Sequence, residues 1–190
     1  NILLRTEISR ISALMYSGKI IEPPIRGLFC GEVLMKKLYG NIVTGAFVMR
    51  MNRFVIHAEI DGRIEICHMP NPGRMRELLF PGVKMYLVKS RNPLSRTAYR
   101  VIGVERDGEV ILLDTSKCND VAHYLVSHHL IAGWEEYSVV QREVTMGDSR
   151  FDLLLGNEAT GEVFPVEVKS CTLFGEKGAM FPDAVTARGK

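Results

Sequence analysis

Residues 149–170 read SRFDLLLGNEATGEVFPVEVKS, and this stretch carries the clearest fold signal in the chain. Apolar and polar residues alternate on both sides of a Gly-Asn turn signal, as they do in half-buried β-strands. Side chains two residues apart in a strand lie on the same face. Phe151, Leu153 and Leu155 should therefore face a core, with Asp152 on the opposite face.

The strand that ends at Ser170 repeats this arrangement. Phe164, Val166 and Val168 fall on one face, and Glu167 and Lys169 fall on the other. Each of the two predicted strands thus offers an apolar face to a core and an acidic residue to the opposite side.

A third strand is predicted over 138–146, with Val140, Val144 and Met146 opposite Glu143. If the three strands are neighbours, their acidic residues converge. Clustered carboxylates repel one another unless a cation neutralises them, and hard oxygen ligands select Mg²⁺ or Mn²⁺. Such an ion would polarise a phosphoryl oxygen and activate a bound water, as in phosphodiester hydrolysis.

The predicted metal ligands are Asp152, Glu167 and Glu143, and the predicted catalytic residues are Asp152, Glu167 and Lys169. An adjacent lysine would position the water or stabilise developing negative charge. The alternative is a solvated strand face, because Glu-x-Lys arises by chance roughly once in a chain of this size.

The region from Val43 to Asp114 predicts a small β-barrel. Asp61–Gly62 and Asp107–Gly108, each between apolar runs, predict hairpin turns. Short strands interrupted by a single short helix over 74–80 suit a barrel of the OB type. The predicted strands are 46–51, 53–60, 64–68, 83–89, 98–105 and 109–114.

Two further helices follow from spacing and caps. Apolar residues over Ile2–Tyr16 recur at roughly helical intervals, and a second helix is expected from Asp120 to Ala132 with Gly133 as its stop. One helix covers only one side of a three-stranded sheet, so we expect a fragment whose closing helix, beginning near Ala184, is incomplete.

The predicted fold class is therefore α+β or α/β: an OB-like small β-barrel followed by a second domain that is truncated at its carboxy terminus. The expected divisions are an extension of unknown role over 1–41, the barrel over 42–115 and the second domain over 116–190.

Composition excludes several classes. The 190 residues are 46% hydrophobic and 24% charged, an ordinary globular composition. No run of about 18 apolar residues is present, so we expect no membrane-spanning helix and a cytoplasmic protein. The four cysteines form no Cys-x-x-Cys pair, which argues against a disulfide scaffold or a zinc site.

The net charge of +2 conceals an asymmetry. Residues 41–100 carry ten Lys and Arg against four Asp and Glu, whereas residues 101–190 carry eight against fifteen. A basic unit attracts polyanions and an acidic unit can hold a cation, so the two regions are expected to have different functions.

Four blocks of the sequence resemble the signature blocks of the sugar fermentation stimulation protein A (SfsA) family. The resemblance spans Val43 to the carboxy terminus and leaves the first 40 residues outside. The blocks are His68–Gly82 (HMPNPGRMRELLFPG), Ser149–Asp152 (SRFD), Glu167–Ser170 (EVKS) and Phe181–Gly189 (FPDAVTARG).

This resemblance implies an OB-like first domain and a second domain of the PD-(D/E)xK nuclease fold. It implies DNA binding without marked sequence preference and a part in regulating sugar (maltose) utilisation. On the nuclease motif, Asp152 and Glu167 are the metal carboxylates, Lys169 is the catalytic-type lysine and Glu143 is an additional acid.

Candidate nucleic-acid-binding residues lie in the basic region, with a solvated barrel surface or a simple Pro-Asn-Pro-Gly turn as the alternative. Basic side chains would contact phosphates and aromatic rings would stack on bases. The candidates are Arg50, Arg53, His68, Asn71, Arg74, Arg76 and Arg96, with Lys84, Lys89 and Arg91 as further phosphate contacts and Phe47, Phe54 and Tyr99 for stacking.

Two functions of different class remain open from the sequence. One is a DNA-binding regulator that inherits an acidic site, and the other is a Mg²⁺-dependent nuclease. A weaker third, an oligosaccharide-binding barrel, is disfavoured by the basic charge. The oligomeric state is not determined by the sequence.

Overall fold

The computed structural model describes residues 13–16, 19–21, 30–170, 172, 174–175 and 178–179. In chain order the elements are β1 (Ala13–Tyr16), β2 (Lys19–Ile21), α1 (Cys30–Tyr39), β3 (Ile42–Arg50), β4 (Val55–Ile60), β5 (Arg63–His68), β6 (Lys84–Lys89), β7 (Tyr99–Arg106), β8 (Glu109–Leu112), a 3₁₀ turn (Thr115–Lys117), α2 (Cys118–Ser127), β9 (Ser138–Met146), β10 (Ser149–Gly156), β11 (Val163–Lys169), β12 (Phe174–Gly175) and β13 (Gly178–Ala179).

The first sheet closes into a barrel. Its strand order is β5-β4-β3-β6-β7-β8, and an additional parallel pairing joins β5 to β7. That pairing sets Cys67 opposite Tyr99 and His68 opposite Arg100, so five strands form a ring with β8 appended to β7. Closure leaves few unpaired strand edges, and the predicted OB-like barrel is confirmed.

Both Asp-Gly pairs form the tight turns that the sequence predicts. Asp61 and Gly62 have φ of 50° and 73°, and Asp107 and Gly108 have φ of 55° and 80°. Two consecutive positive φ values are the requirement of a type I′ turn, which matches the twist of the flanking strands.

The second unit is a five-stranded sheet in the order β2-β1-β11-β10-β9, with α2 packed against it. The predicted core faces of β10 and β11 are confirmed, since Leu153, Leu155, Phe164, Val166 and Val168 are all buried. This arrangement agrees with the predicted nuclease-like second domain.

The predicted facing of β9 holds for Val144, which lies opposite Phe151, but is wrong at Val140. Val139 packs against the core, whereas Val140 is 62% exposed and Met146 is 47% exposed. The register with β10 shifts between Leu154 and Leu155, which leaves Val140 as an extra residue. A bulge of this kind reverses the alternation of faces along the strand, which a strict two-residue period does not anticipate.

The barrel and the second unit share one hydrophobic core. Ile102 of β7 and Leu112 of β8 lie in the same buried cluster as Leu125 of α2, Leu153 of β10 and Phe164 of β11. A second cluster fills the barrel interior, around Ile56, Ala58, Met85, Leu87 and Val101. The barrel thereby fixes the position of the sheet that carries the acidic residues.

The helix predicted over Ile2–Tyr16 is wrong where the structure describes it. Residues Ala13–Tyr16 form strand β1, which pairs antiparallel with β11 and places Leu14 opposite Val168. Pairing with a strand edge supplies hydrogen bonds that local helical spacing cannot, and tertiary context overrides weak helix propensity. The earlier part of that prediction lies outside the described residues.

Two other predicted helices differ from the structure, one in length and one in kind. The second-domain helix ends at Ser127 instead of Ala132, because His129 adopts a left-handed φ of 53° and breaks the ladder. The stretch over 74–80 is a turn rather than a helix, held by Leu79 N–H donating to the Met75 carbonyl at 2.9 Å. The predicted closing helix from Ala184 and the block 181–189 lie outside the described residues.

Candidate metal centre and nucleic-acid surface

The Asp152 carboxylate is held in place from two sides. Its Oδ1 accepts a hydrogen bond from Asn119 Nδ2 at 2.7 Å, and its Oδ2 accepts one from the Val168 backbone N–H at 2.7 Å. Asn119 stands in the first turn of α2 and Val168 in β11. The carboxylate therefore bridges the helix and the sheet, directly beside the residues that flank Val168.

Those flanking residues are Glu167 and Lys169, which form an ion pair with each other. Their side chains are 33% and 45% exposed. The β10–β11 pairing ends with Leu153 opposite Val166, and beyond that point the Asp152 side chain reaches the β11 backbone at Val168. The Asp152 carboxylate is therefore bound to the backbone of the residue between Glu167 and Lys169, where β10 and β11 cease to pair.

Glu143 does not join this group. It adopts a left-handed φ of 54°, and its Oε2 accepts a hydrogen bond from Arg150 Nη2 at 2.7 Å. Both of those side chains are more than 60% exposed. Within the described part of the chain, no three His, Cys, Asp or Glu side chains are grouped to hold a metal ion.

The remaining donor set still suits one hard cation. Asp152 and Glu167 supply two carboxylates, and Mg²⁺ usually keeps several waters while taking one or two carboxylates. An ionised carboxylate has about four acceptor positions, so the two hydrogen bonds at Asp152 leave it capacity for an ion.

Asn119 is the residue at this site that sequence reasoning missed. It lies 33 positions before Asp152, and no local pattern links the two. Its neighbour Asp120 accepts hydrogen bonds from Lys117 and Arg142, each at 2.7–2.8 Å, and these bonds hold the pKa of Asp120 below its ordinary value. These contacts join α2 to the sheet close to the acidic pair.

The guanidinium group of Arg50 is fully engaged in hydrogen bonds to the protein backbone. Its five N–H groups donate to five backbone carbonyls, two of them at 3.0 Å and 2.6 Å, and burial lowers its pKa. The acceptors are the carbonyls of Asn52, Arg53, Asn71, Gly73 and Arg74. Of the sequence-predicted nucleic-acid-binding residues, Arg50 is therefore the one with no N–H left for a phosphate.

The loop after β5, whose carbonyls Arg50 binds, contains several other predicted nucleic-acid-binding residues. Asn71 is 8% exposed, and its Oδ1 accepts a hydrogen bond from the Gly73 N–H at 2.9 Å. Arg53, Arg74 and Arg76 are exposed around it. Asn71 therefore shapes the turn, while the three arginines extend into solvent.

His68 and Arg96 belong to segments of the barrel outside this loop. His68, at the end of β5, stacks on Phe54 with ring centroids 6.5 Å apart, and Phe54 is 46% exposed. Arg96 is exposed in the loop between β6 and β7. The predicted residues therefore come from the end of β3 and the loop after it, the end of β5 and the loop after it, and the loop between β6 and β7.

A buried ion pair marks the junction between the barrel and α2. Asp114 is 1% exposed and accepts hydrogen bonds from Arg100 Nε at 3.0 Å and Arg100 Nη2 at 2.7 Å. Ser116 Oγ donates to the same carboxylate at 2.7 Å. Burial acts to raise the pKa of Asp114, but these hydrogen bonds outweigh it and hold that pKa below the ordinary value.

Two family models match the chain, one for each unit. The SfsA N-terminal OB domain matches residues 48–113, and the sugar fermentation stimulation protein RE domain matches residues 116–190. The chain belongs to the sugar fermentation stimulation protein family. The resemblance stated from the four sequence blocks is thus confirmed.

Relatives named sugar fermentation stimulation protein homolog support this membership. The Methanothermobacter thermautotrophicus protein is 35% identical over 83% of this chain and 65% of its own length. The Pyrobaculum arsenaticum protein is 44% identical over 76% of this chain and 60% of its own length. The chain thus spans less than two thirds of these curated family members.

A solved structure of the family has a similar fold. Pyrococcus furiosus SfsA, determined in complex with Ca²⁺, is 27% identical, with a TM-score of 0.59. The match covers 79% of this chain and 63% of that one. Separately, no helix among the described residues has the length and apolar character needed to cross a membrane.

Proposed function

We propose that this family member is a DNA-binding protein without marked sequence specificity that serves as a regulatory factor in sugar (maltose) metabolism. A DNA-binding role would place it in the cytoplasm. The observation that carries the proposal is the closed OB barrel, whose residues 42–112 carry eleven basic and seven acidic side chains. Positive charge on an OB barrel suits the phosphate backbone, which every DNA sequence presents alike.

Salt dependence tests this binding directly. Affinity for labelled DNA should fall linearly on a logarithmic scale with salt, by a slope of about −0.9 for each phosphate contact to duplex or −0.7 to a single strand. Unrelated sequences of equal length should bind alike. A flat salt dependence or a strong preference for one sequence would contradict the proposal. Loss of the protein should also change the expression of maltose-utilisation genes.

A second candidate is a Mg²⁺- or Mn²⁺-dependent nuclease, favoured by the proximity of Asp152, Glu167 and Lys169. The family member from Pyrococcus furiosus was determined with Ca²⁺, a divalent ion that prefers the same oxygen ligands. Asp152 and Glu167 would hold the ion, which would polarise a phosphoryl oxygen and acidify a bound water.

The residues of this chain would supply the rest of the chemistry. The Asn119 amide and the Val168 N–H fix the Asp152 carboxylate, so its orientation needs no rearrangement when DNA arrives. Lys169 is paired with Glu167, and a ligand that competes for Glu167 would free the Lys169 ammonium to stabilise negative charge on the phosphate.

Cleavage assays separate the two candidates. The intact protein is incubated with labelled single- and double-stranded DNA in Mg²⁺, Mn²⁺ or EDTA, beside an Asp152→Ala, Lys169→Ala double variant. A Glu158→Ala variant, changed at an exposed turn, is the control. Metal-dependent cleavage that only the double variant loses would establish a nuclease, whereas binding without cleavage in every condition would leave the regulator alone.

A further inference from the structure

A groove of about 960 Å³ lies at the junction between the barrel and the second unit. Its walls come from the end of α1, the loop between β6 and β7, the start of β7 and the 3₁₀ turn. None of the residues that form the acidic pair lines it. It is therefore separate from the candidate metal centre.

The charge of this groove is positive. Lys89, Arg91, Arg100 and Lys117 line it, and Asp114 is the one carboxylate among its lining residues. Asp114 is neutralised by Arg100, with which it forms a two-point hydrogen-bonded pair. Lys117 is paired with Asp120.

Lys89 and Arg91 are the uncompensated charges of the groove. Both are exposed, and within the described chain neither forms an ion pair. Two cations with no carboxylate partner at the mouth of a groove favour an anionic ligand, since the anion would meet no competing charge there.

The groove also has surfaces that suit a nucleobase. Tyr99 lines it, and so does His68, whose ring stacks on the half-exposed Phe54 just outside. Aromatic faces beside cations are the combination that binds unpaired nucleotides.

We infer that this groove holds the phosphodiester backbone of single-stranded DNA, with Lys89 and Arg91 on its phosphates and a base stacked on the Phe54–His68 pair. The inference rests on the proposed DNA binding and specifies its site and its form of substrate. Its volume is at the upper end of the roughly 300–1,000 Å³ typical of small-ligand sites, which suits a few nucleotides of one strand. Stacking on Phe54 also requires bases that are not already paired in a duplex.

The test compares binding of a labelled oligothymidylate with binding of the same strand in a duplex, by fluorescence anisotropy in EDTA so that cleavage cannot intervene. Lys89→Gln and Arg91→Gln are each measured over a range of salt. Arg63→Gln is the matched control, because Arg63 is an equally exposed cation at the other end of β5, about 17 Å from His68. A Phe54→Ala variant removes the stacking surface.

We expect tighter binding of the single strand than of the duplex. Lys89→Gln and Arg91→Gln should each reduce the logarithmic salt slope by about 0.7, while Arg63→Gln leaves it unchanged. Phe54→Ala should weaken single-strand binding about five-fold or more with the slope retained.

Two results would overturn the inference and leave DNA binding intact. One is equal affinity for single strand and duplex. The other is a salt slope that Arg91→Gln and Lys89→Gln change no more than Arg63→Gln does. Absence of binding to either DNA form would instead remove the proposed function itself.

Discussion

At the scale of single residues, Arg50 shows how a predicted ligand contact can be a structural one. Its guanidinium donates hydrogen bonds to five backbone carbonyls in two loops. Two of the carbonyls lie in the loop directly after β3, and three lie in the loop 21 to 24 residues further along the chain. A planar fork of five donors is specific to arginine, and lysine offers only three donors on a flexible stem. The residue therefore shapes the loop whose neighbouring arginines face solvent.

Arg50→Lys should lower the free energy of unfolding by about 1–2 kcal/mol, because the half-buried Asn71 carbonyl and several exposed carbonyls lose their donor. Urea unfolding followed by circular dichroism measures this loss. Arg53→Lys, at an exposed position nearby, is the control and should change stability by less than about 0.5 kcal/mol. Equal effects of the two substitutions would show that the carbonyl contacts of Arg50 are not stabilising.

Asp114 predicts a dependence of stability on pH. Its pKa is held below the ordinary Asp value of 3.8, so its stabilising contribution is present at neutral pH and disappears as pH falls through the lowered pKa. Asp114→Asn should cost about 2 kcal/mol at pH 7, the scale of hydrogen bonds to a charged group. The difference from the parent protein should shrink steadily below pH 3.8.

Urea unfolding at pH 7, 5 and 3 checks the direction of this effect. Asp107→Asn is the control, because Asp107 is 88% exposed and its contact with Arg106 spans 3.4 Å. That substitution should have almost no effect at any of these pH values. A stability difference for Asp114→Asn that stayed constant down to pH 3 would rule out the linkage.

At the scale of elements, strands β3 and β4 can lie close together because position 45 in β3 is a glycine. A Cβ on Gly45 would lie 2.7 Å from the Glu59 carbonyl oxygen and 2.8 Å from Ile60 Cγ1. The backbone oxygen cannot rotate away, so the two strands would have to separate. The barrel closes through only two residue pairs between β5 and β7, which makes it sensitive to such a change.

Gly45→Ala should therefore destabilise the protein by about 1–3 kcal/mol, as overpacking does in well-packed interiors. The denaturant midpoint measures this change. Thr44→Ala, at the exposed neighbouring position of the same strand, is the control and should shift the midpoint much less. A midpoint for Gly45→Ala equal to that of the control would mean that β3 and β4 can move apart freely.

At the scale of the whole molecule, the shared core makes the two units interdependent. Ile102 comes from the barrel but is fully buried among residues of the second unit. The single tryptophan, Trp134, lies in that same cluster with its ring 5.6 Å from Phe164. Its fluorescence therefore reports the second unit, while circular dichroism reports both.

We expect a single cooperative unfolding transition in which the two signals coincide. Ile102→Ala should lower stability by about 2–4 kcal/mol and shift both signals together, because it leaves a cavity between the units. Ile64→Ala is the control, since Ile64 is 56% exposed on β5. Separate transitions for fluorescence and circular dichroism would show that the units fold independently.

Features of the fold that depend on local chemistry could be predicted from the residues alone. Alternation fixed the buried faces of β10 and β11, and the Asp-Gly pairs specified two turns through their tolerance of positive φ. The same alternation placed Asp152 and Glu167 on the polar side of their strands. These features depend on residues a few positions apart, where steric preference acts without help from the rest of the chain.

Contacts between residues far apart in the chain could not be predicted in this way, because they depend on how the chain packs. The bulge at Val140 turned that side chain to solvent, Arg150 paired with Glu143 away from the acidic pair, and Asn119 fixed Asp152 from 33 residues away. Hydrogen bonds and ion pairs form between atoms about 3 Å apart in space, whatever their separation in sequence. Residue spacing along the strands therefore defined the candidate residues, but chain packing determined which of them act together.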